Sequence, residues 1–156
     1  MIVGIDPGKA GGLAYIGSEI VGAGALPMPL VGKDIDGHEL AMVLHNWKPD
    51  MVIVERVHAM PGQGVTSMFT FGMGFGRLLG ILEALGIPYR LVTPQAWKKT
   101  VLAGTAKDKS AAVQFCRRAF PGVSLTPGRK RVPHDGMADA LCLAEYGRQL
   151  MAKGAA

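Results

Sequence analysis

Four carboxylates in this chain fall where a pair of divalent cations could be held. Asp6 closes the apolar run from Met1 to Ile5, and Glu55 closes a second run, Met51-Val52-Ile53-Val54. Asp135 and Asp139 stand four apart in a segment that reads as a helix, so they share one of its faces. A carboxylate at the end of a buried strand costs free energy unless a positive charge meets it. Magnesium is suited to that task, being a hard cation that prefers oxygen ligands and keeps several of its waters. Two such ions about 4 Å apart can activate a water and stabilise the leaving oxygen of an in-line phosphoryl displacement. Acids on two strands and a helix can converge on that pair from different directions.

Plainer roles exist for each acid. Asp6 can start the Pro7-Gly8 turn, and Glu55 can pair with Arg56. Asp135 can cap a helix and favour its dipole. Asp139 has fewer such options, because Met137, Ala138, Ala140 and Leu141 around it are apolar or small and set it near a packed face. No cluster of Cys and His has zinc spacing. His134, beside Asp135, is a candidate ligand or proton shuttle.

The formal charge is +5 and the pI about 9.4. Lys98, Lys99, Lys107, Lys109, Arg117, Arg118, Arg129, Lys130 and Arg131 make up over half of the 17 basic residues, with only Asp108 among them. Such a run is either a solvated helix face with its loop or a surface that neutralises phosphates. Cys116 and Cys142 are the only thiols, which predicts a reducing compartment and no disulfide framework. Strand-like sequence from residue 2 leaves no room for a cleavable leader, and no apolar stretch reads as a membrane span of about 20 residues. These features predict a soluble cytoplasmic protein.

To position the acids, the elements must alternate. Residues 2–6, 13–16 and 19–23 read as three strands joined by tight turns, an antiparallel meander. A helix over 38–47 follows, with Leu40, Val43 and Leu44 on one face. A strand ends at Glu55, and a glycine-rich loop through Pro61-Gly62-Gln63-Gly64 leads to a long helix ending near Ala84, with Gly86 at its cap. A short strand over 87–92 precedes helices over 95–102 and 107–120, a basic loop over 121–133, and a last helix over 134–151. At 156 residues this order suits a single α/β domain, a mixed five-stranded sheet with helices on both faces.

Gly4-Ile5-Asp6-Pro7-Gly8, Val52-Ile53-Val54-Glu55 and Asp135-Gly136-Met137-Ala138-Asp139-Ala140-Leu141 resemble the successive motifs of RuvC-type Holliday junction resolvases, especially compact phage-like ones. The resemblance covers nearly the whole chain. It implies a ribonuclease-H-like fold, a homodimer, and magnesium-dependent symmetrical nicking of four-way DNA junctions, with two ions per site. Whether manganese substitutes is left open. It also implies that Asp6, Glu55 and Asp139 are metal ligands. The family's fourth ligand stands three residues before the last Asp, where this chain has Gly136, so Asp135 is the candidate for that role. Lys98 and Lys109 resemble basic residues near the scissile phosphate. Lys99, Lys107, Arg117, Arg129, Lys130 and Arg131 extend the DNA-binding surface. His58 takes the place of an aromatic that stacks on bases. An RNA-processing nuclease of the same fold, or a junction-binding module without chemistry, is the competing expectation.

Three glycines in Phe71-Gly72-Met73-Gly74-Phe75-Gly76-Arg77 each cost about 1 kcal/mol in a helix relative to Ala. They predict close packing or a local bend, with Met68, Phe69, Met73 and Phe75 filling the contact, either in the core or at a second subunit.

Overall fold

The computed structural model describes residues 1–58, 62, 64–105, 108 and 110–154. In chain order the elements are β1 (Ile2–Asp6), β2 (Gly12–Ile16), β3 (Ala23–Pro27), β4 (Leu30–Val31), β5 (Asp34–Ile35), α1 (Gly37–Trp47), β6 (Met51–Glu55), α2 (Val65–Ala84), β7 (Tyr89–Val92), α3 (Pro94–Val101), α4 (Ala111–Ala119) and α5 (Asp135–Ala152). The main sheet runs β3-β2-β1-β6-β7. β1 is antiparallel to β2 and parallel to β6, and β6 is parallel to β7. This is the mixed five-stranded sheet that the alternation of elements predicts.

Side-chain alternation along the strands sorts the core into two layers. Val3, Ile5, Leu13, Val52 and Val54 pack against Leu40 and Leu44 of α1 and Leu78 and Leu82 of α2. Ile2, Ala14, Ile16 and Ile53 face the other way, against α3, α4 and α5. The period of two then dictates where the last residue of each strand points. Asp6 and Glu55 fall in register with the α5 side.

The α5 helix lies on β1 with almost nothing between them. A Cβ added to Gly4 would meet the Ala140 carbonyl oxygen at 2.0 Å and the Ala144 nitrogen at 2.4 Å. Across the same contact, a Cβ on Gly147 would strike Ile53 Cγ1 at 2.6 Å and Ile2 Cγ2 at 2.7 Å. Small residues on both partners let the helix backbone reach the sheet.

Several expectations need correction. The third strand occupies Ala23–Pro27 rather than 19–23. Residues 19–21 turn the β2–β3 hairpin, with Gly17 N–H donating to the Gly22 carbonyl at 2.8 Å and Gly22 at φ +70°. Ile20 is 98% exposed there, so its apolar character reports no burial. The β4–β5 hairpin has no counterpart in the sequence reading. The α2 helix runs unbroken through its glycines, without the bend they suggested. It is also long and apolar enough to cross a membrane by length and composition, whereas the sequence reading saw no such stretch. In the fold it covers the sheet through Leu78 and Leu82.

Because Gly4 has no room for a side chain, Gly4→Ala should destabilise the protein by about 3 kcal/mol, the upper end for overpacking a core. Urea denaturation of the folded variant measures this. A loss under about 0.5 kcal/mol, the range of neutral surface substitutions, would show that the helix is free to lift from the strand.

Candidate metal and phosphate site

The parallel register pairs Ile5 with Val54, which brings Asp6 and Glu55 side by side at the carboxyl ends of β1 and β6. Such ends are where ligand sites form in open α/β sheets. Asp139 enters from α5, and Lys98 from α3. Asp6 is held by its own turn, since Gly8 N–H donates to Asp6 Oδ1 at 3.3 Å. Glu55 is held from the core, where the indole Nε1–H of the fully buried Trp97 donates to Glu55 Oε1 at 2.8 Å.

Crowding of these acids shows in their protonation. Burial, then repulsion from Glu55 and from Asp139, lifts Asp6 to about 7 despite the Gly8 N–H and Lys98. Asp139 rises to about 6, again mainly by burial, with Glu55 and Asp135 adding to it and Lys98 opposing. The acids thus act on one another, and Lys98 is the cation acting on both Asp6 and Asp139. No ion pair joins the four acids to a base among the described residues.

The first turn of α5 explains the missing acid at 136. Gly11 and Gly136 form an isolated parallel bridge, and a Cβ on Gly136 would meet the Ala10 carbonyl oxygen at 2.3 Å. A side chain cannot stand there, and the acid of this turn is Asp135, one residue earlier and the first residue of the helix. His134 is the N-cap, its Nδ1 accepting the Met137 N–H at 3.2 Å. That nitrogen is engaged in capping and is not offered to an ion.

Asp135, Asp139, Lys98 and Lys99 all line a cleft of about 910 Å³, together with Leu102 and Ala112. Asp6 and Glu55 are not part of its wall. Arg117 is exposed on α4, and Arg129, Lys130 and Arg131 are exposed in the loop before α5. His58 is exposed beyond β6 and lines a separate hollow with Arg56, Met68, Phe71 and Pro94. No hydrogen bond or ion pair ties these residues to the acids among the described residues. Lys107 and Lys109 lie outside the described residues, and the fourth helix begins at Ala111 rather than 107.

Sequence reasoning missed Trp97. Its signal was available in part, because a tryptophan buried on an amphipathic helix needs an acceptor for its N–H. Cys116 and Cys142 are free thiols, buried with their Sγ atoms 3.8 Å apart. Among the described residues no three His, Cys, Asp or Glu side chains are gathered tightly enough to cage an ion by themselves. The oxygen-only donor set suits magnesium, which is typically bound through one or two carboxylates and keeps waters.

No protein-family model matches the chain. A stretch of 93 residues, 60% of this chain, is 30% identical to the chloroplastic Holliday junction resolvase MOC1 of Chlamydomonas reinhardtii and spans 10% of that protein's length. The fold matches Thermus thermophilus RuvC in complex with a Holliday junction substrate, with a TM-score of 0.67 and 21% identity over 99% of this chain and 96% of that one. It also matches the yeast mitochondrial Holliday junction resolvase Ydc2, with a TM-score of 0.57 and 18% identity over 97% and 79% of the two chains. The chain therefore has the fold of RuvC-type resolvases, a ribonuclease-H-like α/β architecture.

The raised acids give a pH signature. Between the ordinary value of 3.8 and about 7, the metal-free folded protein binds more protons than the unfolded chain. Its stability therefore falls as pH rises through that window, and the Asp6 and Asp139 contribution is smallest above it. Magnesium should raise the thermal midpoint more at about pH 8 than at about pH 5, since the ion replaces protons there, and Asp6→Asn should shrink this difference. An equal gain at both pH values, measured by calorimetry, would show that the ion does not engage these acids.

Proposed function

We propose that this chain is a magnesium-dependent endonuclease that acts as a homodimer and resolves four-way DNA junctions by paired symmetrical nicks. The observation that carries this reading is the convergence of Asp6, Glu55 and Asp139, with Lys98 acting on two of them, on the fold of junction resolvases. Asp6, Glu55, Asp139 and Asp135 would hold two magnesium ions. When bound, these supply a more acidic water and a positive pole for the charge that develops on the phosphate.

The chain's own residues do the remainder. Raised carboxyls on Asp6 and Asp139 give up their protons readily near neutral pH, so the site charges as cations arrive. Lys98 and Lys99 line the cleft beside the acids and can draw a phosphate toward them. Lys109 is proposed for the same task. Arg117, Arg129, Lys130 and Arg131, with Lys107, provide exposed charge for the flanking backbone, where each neutralised phosphate adds salt-dependent affinity without sequence preference. His58 is proposed to stack on a base at the branch.

The homodimer is supported by α2. Val65, Phe69 and Met73, four residues apart in turn, are 86%, 67% and 48% exposed. Gly72, Gly76 and Gly80 share this spacing, and a Cβ on any of them would meet nothing within 4 Å. Gly74 differs, lying against Ile35, and Phe75 joins the core. An apolar stripe flanked by bare backbone suits close approach of a second α2. Two sites related by a two-fold axis then suit nicks on two strands of like polarity.

A synthetic four-way junction, matched duplex, single-stranded DNA and structured RNA, each with magnesium or chelator, test the activity. Paired nicks in the junction alone are expected. Asp6→Asn should lower their rate by about a thousandfold, roughly 4 kcal/mol of barrier, while junction binding persists. Preferred RNA cleavage would favour a processing nuclease, and binding without cleavage a non-catalytic module. Phe69→Glu should convert the dimer to a folded monomer by sedimentation and leave nicks unpaired. A monomeric wild-type protein that makes paired nicks would overturn the role given to α2.

A further inference from the structure

Trp97 and Lys98 are successive residues of α3 and face opposite environments. The α3 helix is fixed at its start by Thr93, whose Oγ1 accepts the Ala96 N–H at 3.4 Å, and by Pro94 in its first turn. Trp97 and Val101, one turn apart, are buried in the layer beneath α5, whereas Lys98 and Lys99 are exposed and line the cleft. The Lys98 ammonium lies 5.1 Å from the centroid of the Trp97 ring. One short helix therefore presents a donor to Glu55 from within and a cation to Asp6 and Asp139 from without.

The Trp97–Glu55 bond has a specific consequence. A buried indole N–H needs an acceptor, and a backbone carbonyl would serve stability as well as any. Here the acceptor is a carboxylate 42 residues away in sequence, at the end of a sheet strand. A hydrogen bond to an ionised oxygen is shorter and stronger than a neutral one and fixes the direction of the group. Among the described residues Glu55 Oε1 carries this one bond and Oε2 carries none. We infer that Trp97 is a positioning residue, whose indole N–H holds Oε1 of Glu55 so that the carboxylate meets a divalent cation in a single orientation. The inference rests on Glu55 being a metal ligand, as proposed above.

Outer partners of metal ligands commonly govern affinity by about 10- to 100-fold. Manganese binding to the DNA-free protein, followed by the paramagnetic resonance of free manganese, reads this without any catalysis. Wild type, Glu55→Gln, Trp97→Phe and the double variant are compared, together with magnesium titrations of junction nicking. Trp97→Phe should raise the manganese Kd and the half-saturating magnesium concentration by about 10-fold or more, with nicking restored to within a few-fold at saturating metal. The double variant should bind manganese no more weakly than Glu55→Gln alone. Where Trp97→Phe fails to fold, benzothienylalanine at position 97 keeps both fused rings and replaces the N–H with a sulfur that cannot donate. Wild-type manganese affinity in a folded Trp97 variant, with Glu55→Gln impaired, would overturn the positioning role and leave the proposed activity standing. Full affinity and cleavage in Glu55→Gln would overturn the metal-ligand reading itself. A further loss in the double variant would show that Trp97 acts elsewhere than on Glu55.

Discussion

The contact between α5 and β1 is the constraint on which the remaining structure depends. Gly4 brings β1 directly against the α5 backbone at Ala140 and Ala144, and Gly147 lets the helix settle on the Ile2 and Ile53 side chains. That closeness sets the height of Asp139 over the sheet and allows it to interact with the strand-end acids. The Gly11–Gly136 bridge fixes the same helix at its first turn, in rotation as well as in position. Dispersion contacts fall off steeply with separation, so larger residues here would lift α5 and separate the carboxylates together.

A fold seldom gathers buried carboxylates for its own benefit. Desolvation opposes the charged form of Asp6 and Asp139, and repulsion from Glu55 opposes it further. One lysine does not cancel this. The apolar layers on both sides of the sheet supply the stability that tolerates the conflict, with Trp97, Leu141 and Leu143 among the fully buried side chains near it. Local conflict inside an otherwise consistent fold is the expected mark of a working site. Trp97 joins the two parts, since its ring belongs to the core and its N–H belongs to the site.

Most of the architecture was legible because burial repeats with the period of each element. The runs ending at Asp6 and Glu55 gave two strands, and the apolar face over 38–47 gave α1, whose His38 and Glu39 N–H groups both bond to Asp36 Oδ1. What failed, failed where apolar residues carry no burial. Ile20 and Val21 read as strand but sit on a hairpin turn; of the two readings of the α2 glycines, the bend is absent and close packing is seen at Gly74, against Ile35. Of the candidate site, Asp6 and Glu55 were legible as strand ends and Asp139 as an acid among apolar and small residues of a helix. Asp135 was legible beside them, but the reason position 136 carries no acid was not, because the space at Gly136 is defined by the distant Ala10 carbonyl. The Trp97–Glu55 bond was likewise hidden, since pairing across 42 residues leaves no local pattern.

The acids are also ordered in time. Asp6 lies on the first strand, Glu55 on a middle one, and Asp139 on the last helix. A ribosome emits Asp6 and Glu55 well before Asp135 and Asp139, which follow only after every strand of the sheet. Contacts between such distant segments form late, after the intervening elements have somewhere to pack. An interrupted or truncated translation product lacking α5 would therefore carry basic surface without an assembled centre. Placing Asp135 and Asp139 on α5, after all five strands of the main sheet, makes the gathering of the four acids wait on the whole sheet.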